Sequence, residues 1–228
     1  MTADDNTEAW NDFFGRVYTT RDDFMDQVYL SKDGLLPIFH KKDELPQTLL
    51  IKSNRYHHLS SILLERVPNL RMIALVRNPL AVINSWIHNP AEFPADAEPL
   101  KEWRSGSCRK TGIGEYWGFD DWKLVTAMHL QLQEEYPDRF FLYRYEDITR
   151  DPYAQARKMF SQVGIQYSDE VGGFIRSSVS NHIDHPRSVY KKNHDIDAWK
   201  NQLNPLIIRE ILNDLADSRL AKYIEDVR

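Results

Sequence analysis

Residues 70–86 read LRMIALVRNPLAVINSW, and the rest of the chain has to be arranged around this stretch. Met72 to Val76 form an unbroken apolar run that stops at Arg77-Asn78-Pro79, where a second apolar pattern with helical spacing begins. Asn78 suits a helix N-cap, and Pro79 suits the first turn, where a missing N–H costs nothing. The stretch therefore predicts a buried strand running into a helix, with Arg77 at the junction and Ser85 two turns along. Such junctions at the carboxyl ends of parallel strands are where anions and nucleotides bind. The plainer alternative is a surface arginine closing a strand and a neutral helical serine.

Working outward, the upstream residues 6–31 carry two short amphipathic patterns, with Thr20 placed to cap the second. Lys32-Asp33-Gly34 reads as a turn, Leu49 to Lys52 as a short strand, and His57 to Val67 as a helix closed by Pro68-Asn69. Downstream, Asn89 to Glu115 is a long irregular piece rich in proline and glycine, the kind of segment that serves as a lid or binding loop. Phe119 to Tyr136 is helical by period, Arg139 to Arg144 is a third strand, and Pro152 to Val163 is a helix ended by Gly164. A short helix over Asp169 to Ile175 and a polar loop from Ser177 to Asp195 follow. The chain then turns helical from Ile196, with a break at Pro205. This alternation predicts an α/β fold: one domain over residues 1–228, a parallel sheet flanked by helices. Within it, residues 1–48 form an atypical helical N-terminal segment, 89–115 a lid and 177–195 a basic closing loop.

Bulk properties narrow the function. With 228 residues, 42% of them hydrophobic and 28% charged, the chain has the balance of an ordinary globular domain with one core. A net charge of −5 argues against nucleic acid or membrane surfaces as partners. Cys108 is the one cysteine, which excludes an intrachain disulfide and a cysteine zinc site. The acidic start MTADDNTEAW is unlike a signal peptide, so cytoplasmic residence is the expectation. Walker-type, HExxH, GxSxG and CxxC motifs are absent from the sequence.

Three segments, in this order and separation, resemble the sulfotransferase family that uses 3′-phosphoadenosine-5′-phosphosulfate (PAPS). LVRNPLAVINSW is similar to the family's 3′-phosphate-binding strand–helix unit, where an arginine at the strand end and a serine eight residues later hold the phosphate; Arg77 and Ser85 match both. Arg144-Tyr145-Glu146-Asp147-Ile148, followed by Asp151-Pro152, resembles the RYEDL…DP segment whose tyrosine lies near the adenine. Tyr190-Lys191-Lys192 with Trp199-Lys200 and Leu203 resembles the late basic loop and tryptophan helix that close over the nucleotide. Taken singly, Tyr145 also suits core packing, Glu146 and Asp147 suit buttressing of the next turn, and Lys191-Lys192 suit a solvated pair.

The resemblance implies a P-loop nucleotide-kinase-like fold, PAPS as co-substrate without a metal, and sulfuryl transfer to a small-molecule or glycan acceptor. It also implies that Arg77, Ser85, Tyr145, Lys191 and Lys192 bind the nucleotide. Lys52-Ser53-Asn54 falls where many cytosolic members carry Lys-Thr-His, so Lys52 corresponds to the charge-stabilising lysine. Asn54 cannot take a proton near neutral pH. The base is then His57 or His58 just beyond it, or a lid carboxylate among Glu92, Asp96 and Glu98; the plain alternative for the histidines is a surface pair at a helix start. The aromatic lid residues Phe93, Trp103, Tyr116 and Trp117 suit stacking on sugar or ring faces, and the RYEDI…DP segment leans towards glycan-directed members. His182, Asp184, His185, His194 and Asp195 fit no recognised metal spacing.

One departure stands out. The family's N-terminal strand and PKSGTTW-like loop, which wraps the 5′-phosphosulfate, has no counterpart in residues 1–51. By the family's fold that strand lies inside the sheet, so its loss is expected to leave strand edges and apolar surface unpaired. A truncated chain, completion in trans by a partner copy in a homo-oligomer, or a degenerate relative would each account for it. The last of these defines the rival function, a non-catalytic protein that binds adenosine-3′,5′-bisphosphate or acts as an interaction module.

Overall fold

The computed structural model describes residues 4–23, 27–32, 48–184, 188–190 and 195–224. Its centre is a parallel pair of strands, β1 (Met72–Val76) and β2 (Phe140–Arg144), in the register Met72↔Phe140 through Val76↔Arg144. Two parallel strands cannot be joined by a hairpin, and the connection here is a helical crossover. Before β1 come α1 (Thr7–Thr19), α2 (Val28–Lys32), a 3₁₀ turn His57–Leu59 and α3 (Ser60–Arg66). The crossover consists of α4 (Pro79–Ile87), the short α5 (Pro99–Glu102) and α6 (Gly118–Glu135). After β2 follow α7 (Tyr145–Arg150), α8 (Pro152–Val163), α9 (Asp169–Ser180), α10 (Trp199–Gln202), α11 (Pro205–Leu215) and a 3₁₀ turn Ala221–Tyr223.

Local chemistry explains most boundaries. The Asn78 side chain accepts from Leu80 N at 2.9 Å and Pro79 occupies the first turn, so α4 starts where its caps dictate. Asp151 caps α8 through Ala154 N at 3.0 Å, and Gly164 ends it at φ 73°, a left-handed conformation that favours glycine. The core gathers Leu80 and Ile83 of α4, Phe119 of α6 and Ile207, Ile211 and Leu215 of α11. A second cluster packs Leu64 and Leu132 on Phe140, with Met72 and Ala74 against it. Strand residues alternate sides, so Ile73 and Leu75 point elsewhere and stay 37% and 54% exposed.

Several expectations are corrected. Leu49 to Lys52 form no strand: the segment is irregular and unladdered, and Leu50 is 81% exposed. An apolar run becomes a strand only where another strand edge is in reach, and the sequence run alone cannot show that. Thr20 closes α1, its N–H donating to Arg16 O, and does not cap α2, which starts at Val28. The helix at Asp169 continues to Ser180, so Ser177 to Ser180 belong to α9 and not to the closing loop; Ser168 caps it through Val171 N. Residues 33–47, with the predicted turn at Asp33-Gly34, and 191–194 lie outside the described residues, as do Phe24, Met25 and His185. The interior strand implied by the resemblance has no counterpart among the described residues, where β1 and β2 pair directly.

Candidate functional site

The register of the two strands builds the site. One step beyond Val76↔Arg144, Arg77 comes opposite Tyr145, and one further step brings Asn78 opposite Glu146. The Arg77 guanidinium accordingly lies over the Tyr145 ring, 4.9 Å from its centroid. Asn78 N donates to Glu146 Oε1 at 2.8 Å, a buried contact that ties the start of α4 to the start of α7. Trp122 of α6 adds a third tie, its Nε1 donating to Arg77 O at 3.0 Å. Arg77 Nε is buried and has no hydrogen-bond partner among the described residues. A fixed guanidinium with an unused donor, beside a helix N-terminus, is an arrangement that holds phosphate oxygens. Glu146 is the buttress of this junction, and Asp147 pairs with Arg150 at 3.1 Å.

Ser85 is exposed on α4, roughly 9 Å along the helix axis from Pro79. Its neighbour Asn84 is buried and donates to Gln202 Oε1 at 3.0 Å, which draws α10 onto α4. Trp199 and Leu203, read from sequence as part of the closing segment, are buried in the core. Lys191 and Lys192 lie outside the described residues.

A second group of residues surrounds a cleft of about 340 Å³ whose lining includes His57, Trp86, Glu92, Tyr116, Trp117 and Asp121. The loop carrying His57 is clamped to the lid. Tyr56, at φ 58°, donates its N–H to Gly114 O at 2.8 Å; Arg55 pairs with Glu115 at 3.2 Å; His58 Nδ1 meets Tyr116 Oη at 3.1 Å. The His57 ring stands edge-on to Tyr116 at 5.2 Å and to His129 at 5.4 Å. Burial lowers the proton affinity of His57, a hydrogen bond with the Asn54 backbone opposes that, and the charge of His58 adds to the lowering. The imidazole is thus held neutral, and a neutral imidazole offers a nitrogen lone pair that can take a proton.

The structure sorts the predicted residues. His57 faces the cleft, and Asn54 borders it; His58 turns to Tyr116 instead. Lys52 is exposed on the unladdered segment and does not line the cleft. Of the lid carboxylates, Glu92 lines the cleft while paired with Arg109 at 3.1 Å; Asp96 and Glu98 border a separate hollow with Cys108. Phe93 and Trp103 are corrected from stacking residues to core residues, each 7% exposed, whereas Tyr116 and Trp117 do line the cleft. The lid is closed at its neck: Phe119 N donates to Trp103 O at 2.9 Å and Asp120 N to Arg104 O at 3.0 Å. Gly118 permits this approach, because a Cβ there would sit 2.6 Å from Arg104 O.

Sequence reasoning missed Asp121, Trp122 and His129, all on α6. Asp121 accepts from Trp117 N at 2.8 Å and pairs with Lys110 at 2.8 Å. For Trp122 and His129 the available signal was helical spacing: Phe119, Trp122, Thr126 and His129 fall on one stripe of α6, so polar members of that stripe are directed inward.

A family model described as a sulfotransferase domain matches residues 16–222. Carbohydrate sulfotransferase 3 of Mus musculus is 31% identical over 114 residues, covering 48% of this chain and 24% of that protein. The omega-hydroxy-beta-dihydromenaquinone-9 sulfotransferase Stf3 of Mycobacterium tuberculosis (strain CDC 1551 / Oshkosh) is 24% identical over 148 residues, 64% of this chain and 36% of that protein. The chain thus spans between 24% and 36% of the length of these relatives. Among solved structures, mouse sulfotransferase SULT7A1 complexed with PAP superposes with a TM-score of 0.51 at 16% identity, covering 73% of this chain and 65% of that one. At that identity the likeness concerns the fold.

Proposed function

The chain belongs to the sulfotransferase family, and from that premise we propose that it moves a sulfuryl group from PAPS to an acceptor hydroxyl on a carbohydrate. The observation that carries the proposal is the Arg77–Tyr145 stack at the N-terminus of α4, with Arg77 Nε buried and unpartnered among the described residues. These residues fit the 3′-phosphate end of such a nucleotide: Arg77 and the first turn of α4 meet the phosphate, Ser85 extends the same helix, and Tyr145 borders the base. Lys191 and Lys192, which lie outside the described residues, join this set on the sequence resemblance alone. The solved relative with PAP supports a nucleotide of this kind.

Bound PAPS would supply an activated sulfuryl group for in-line displacement, a chemistry governed by positioning and charge stabilisation. His57 takes the proton of the acceptor hydroxyl; the acceptor oxygen then bonds to sulfur as the sulfur–oxygen bond to the 5′-phosphate breaks. Tyr116 and Trp117 offer ring faces to the acceptor across the cleft. Likeness to a carbohydrate sulfotransferase over 48% of the chain supports a glycan acceptor. Lys52 has no role in this arrangement.

A second reading, nucleotide binding without transfer, is favoured by one observation: Lys52 is exposed and does not line the cleft. Calorimetry with adenosine-3′,5′-bisphosphate tests what the two share. Binding is expected, weakened at least tenfold (about 1.4 kcal/mol) by Arg77→Ala; no binding by the unmodified chain removes both. Labelled PAPS offered with glycans, phenols and lipid alcohols then separates them. Transfer that survives in His57→Ala would show that the base lies elsewhere.

A further inference from the structure

His129 is a buried titratable residue with no part in the scheme above. It lies on the inward stripe of α6, only 5% exposed, in contact with Phe140 of β2 at 5.5 Å and with His57 at 5.4 Å. Its Nδ1 is buried and has no hydrogen-bond partner among the described residues. An imidazole in such a slot pays a desolvation cost that a phenylalanine or leucine would not. What the geometry gives this ring is a wall behind His57, with Phe140 on its other contact.

We infer that His129 is a positioning residue for His57: from the core side it holds the His57 ring upright between itself and Tyr116, so that the ring borders the cleft and cannot swing away. This inference rests on the reading of His57 as the base. The geometry is a row of three rings, Tyr116, His57 and His129, with edge-to-face contacts of 5.2 and 5.4 Å at interplanar angles of 72° and 68°. Tyr116 comes from the lid, His57 from the 3₁₀ turn and His129 from α6, so three separate elements fix one ring. The other groups around the row are His58, bonded to Tyr116, and, at the cleft, the pairs Arg55–Glu115 and Asp121–Lys110; β2 contributes Phe140. Burial holds the proton affinity of His129 down at about 4, with the charge of His57 adding to the effect. At neutral pH His129 is therefore uncharged and leaves the acceptor's proton to His57.

The test uses His129→Ala and His129→Phe in the full chain, with His129→Leu replacing the alanine variant if that one loses its fold by circular dichroism. Two quantities are read: the titration of the His57 C2–H by NMR, and kcat and KM for transfer from PAPS as a function of pH. In His129→Ala water enters behind His57, so its pKa is expected to rise towards the ordinary 6.5, and the acid limb of kcat/KM moves to higher pH with it. Freed from its backing, the ring loses alignment, and kcat is expected to fall about tenfold with KM for PAPS unchanged. His129→Phe keeps the ring wall and the dry environment, so it restores both the titration and most of kcat. An unchanged His57 titration in His129→Ala, or a phenylalanine variant as impaired as the alanine one, overturns the inference. The NMR readout needs no activity: if the titration shifts as expected while His57→Ala still transfers, the coupling stands and only the assignment of the base falls.

Discussion

Removal of Glu146 tests whether the two sequence motifs form one site. Its Oε1 receives the Asn78 N–H at 2.8 Å, and its side chain is buried, with Oε2 lacking any partner among the described residues. Glu146→Ala leaves a buried backbone donor unpaired, which costs about 1–3 kcal/mol. It also removes the tie that holds Asn78, the cap of α4, against the end of β2. Glu146→Gln keeps an acceptor oxygen at the same reach and exchanges one unpartnered polar atom for another, so about 1 kcal/mol or less is expected. Urea unfolding at neutral pH measures both variants, and calorimetry with adenosine-3′,5′-bisphosphate measures the consequence at Arg77. The alanine variant should lose stability and bind at least several-fold more weakly, while the glutamine variant stays near the unmodified chain. If Glu146→Ala unfolds at the same urea concentration with the same slope and binds equally well, the junction does not depend on this contact and the reasoning fails.

Two further outcomes follow from the geometry around the cleft. His129 has a folded-state pKa of about 4 against an ordinary 6.5, so the unfolded chain binds the extra proton first. Its stability contribution is complete above pH 6.5 and is lost as pH falls towards 4, by about 3 kcal/mol; urea unfolding of the unmodified chain and His129→Phe across that window should diverge, and parallel curves would count against it. Gly114 has φ 86°, and a Cβ there would lie 2.2 Å from the Tyr56 ring, so Gly114→Ala is expected to cost about 2 kcal/mol by overpacking and backbone strain. Gly112→Ala, with nothing within 4 Å, serves as the neutral control in the same thermal melt.

Much of the fold is legible locally. The strand–helix junction at Asn78-Pro79, the Asp151 cap and the Gly164 stop are written in residues that act within one turn of their own backbone. The misread strand at Leu49 to Lys52 shows the limit, because an apolar run needs a neighbouring edge and that edge is set by distant residues. Phe93 and Trp103 meet the same limit: aromatic character is visible in sequence, but whether a ring faces a cleft or the core is not.

By itself the sequence determined that Arg77 closes an apolar strand, that a capped helix follows at once, and that Tyr145 and Glu146 close another. Only the tertiary structure decided that these are one place, since the parallel register Val76↔Arg144 sets Arg77 on Tyr145 and Asn78 on Glu146. It also chose His57 over His58 for the cleft and put His129 behind it. The physical reason is range: capping and periodicity act over a few residues, whereas register and burial come from packing between segments that chain order does not place together.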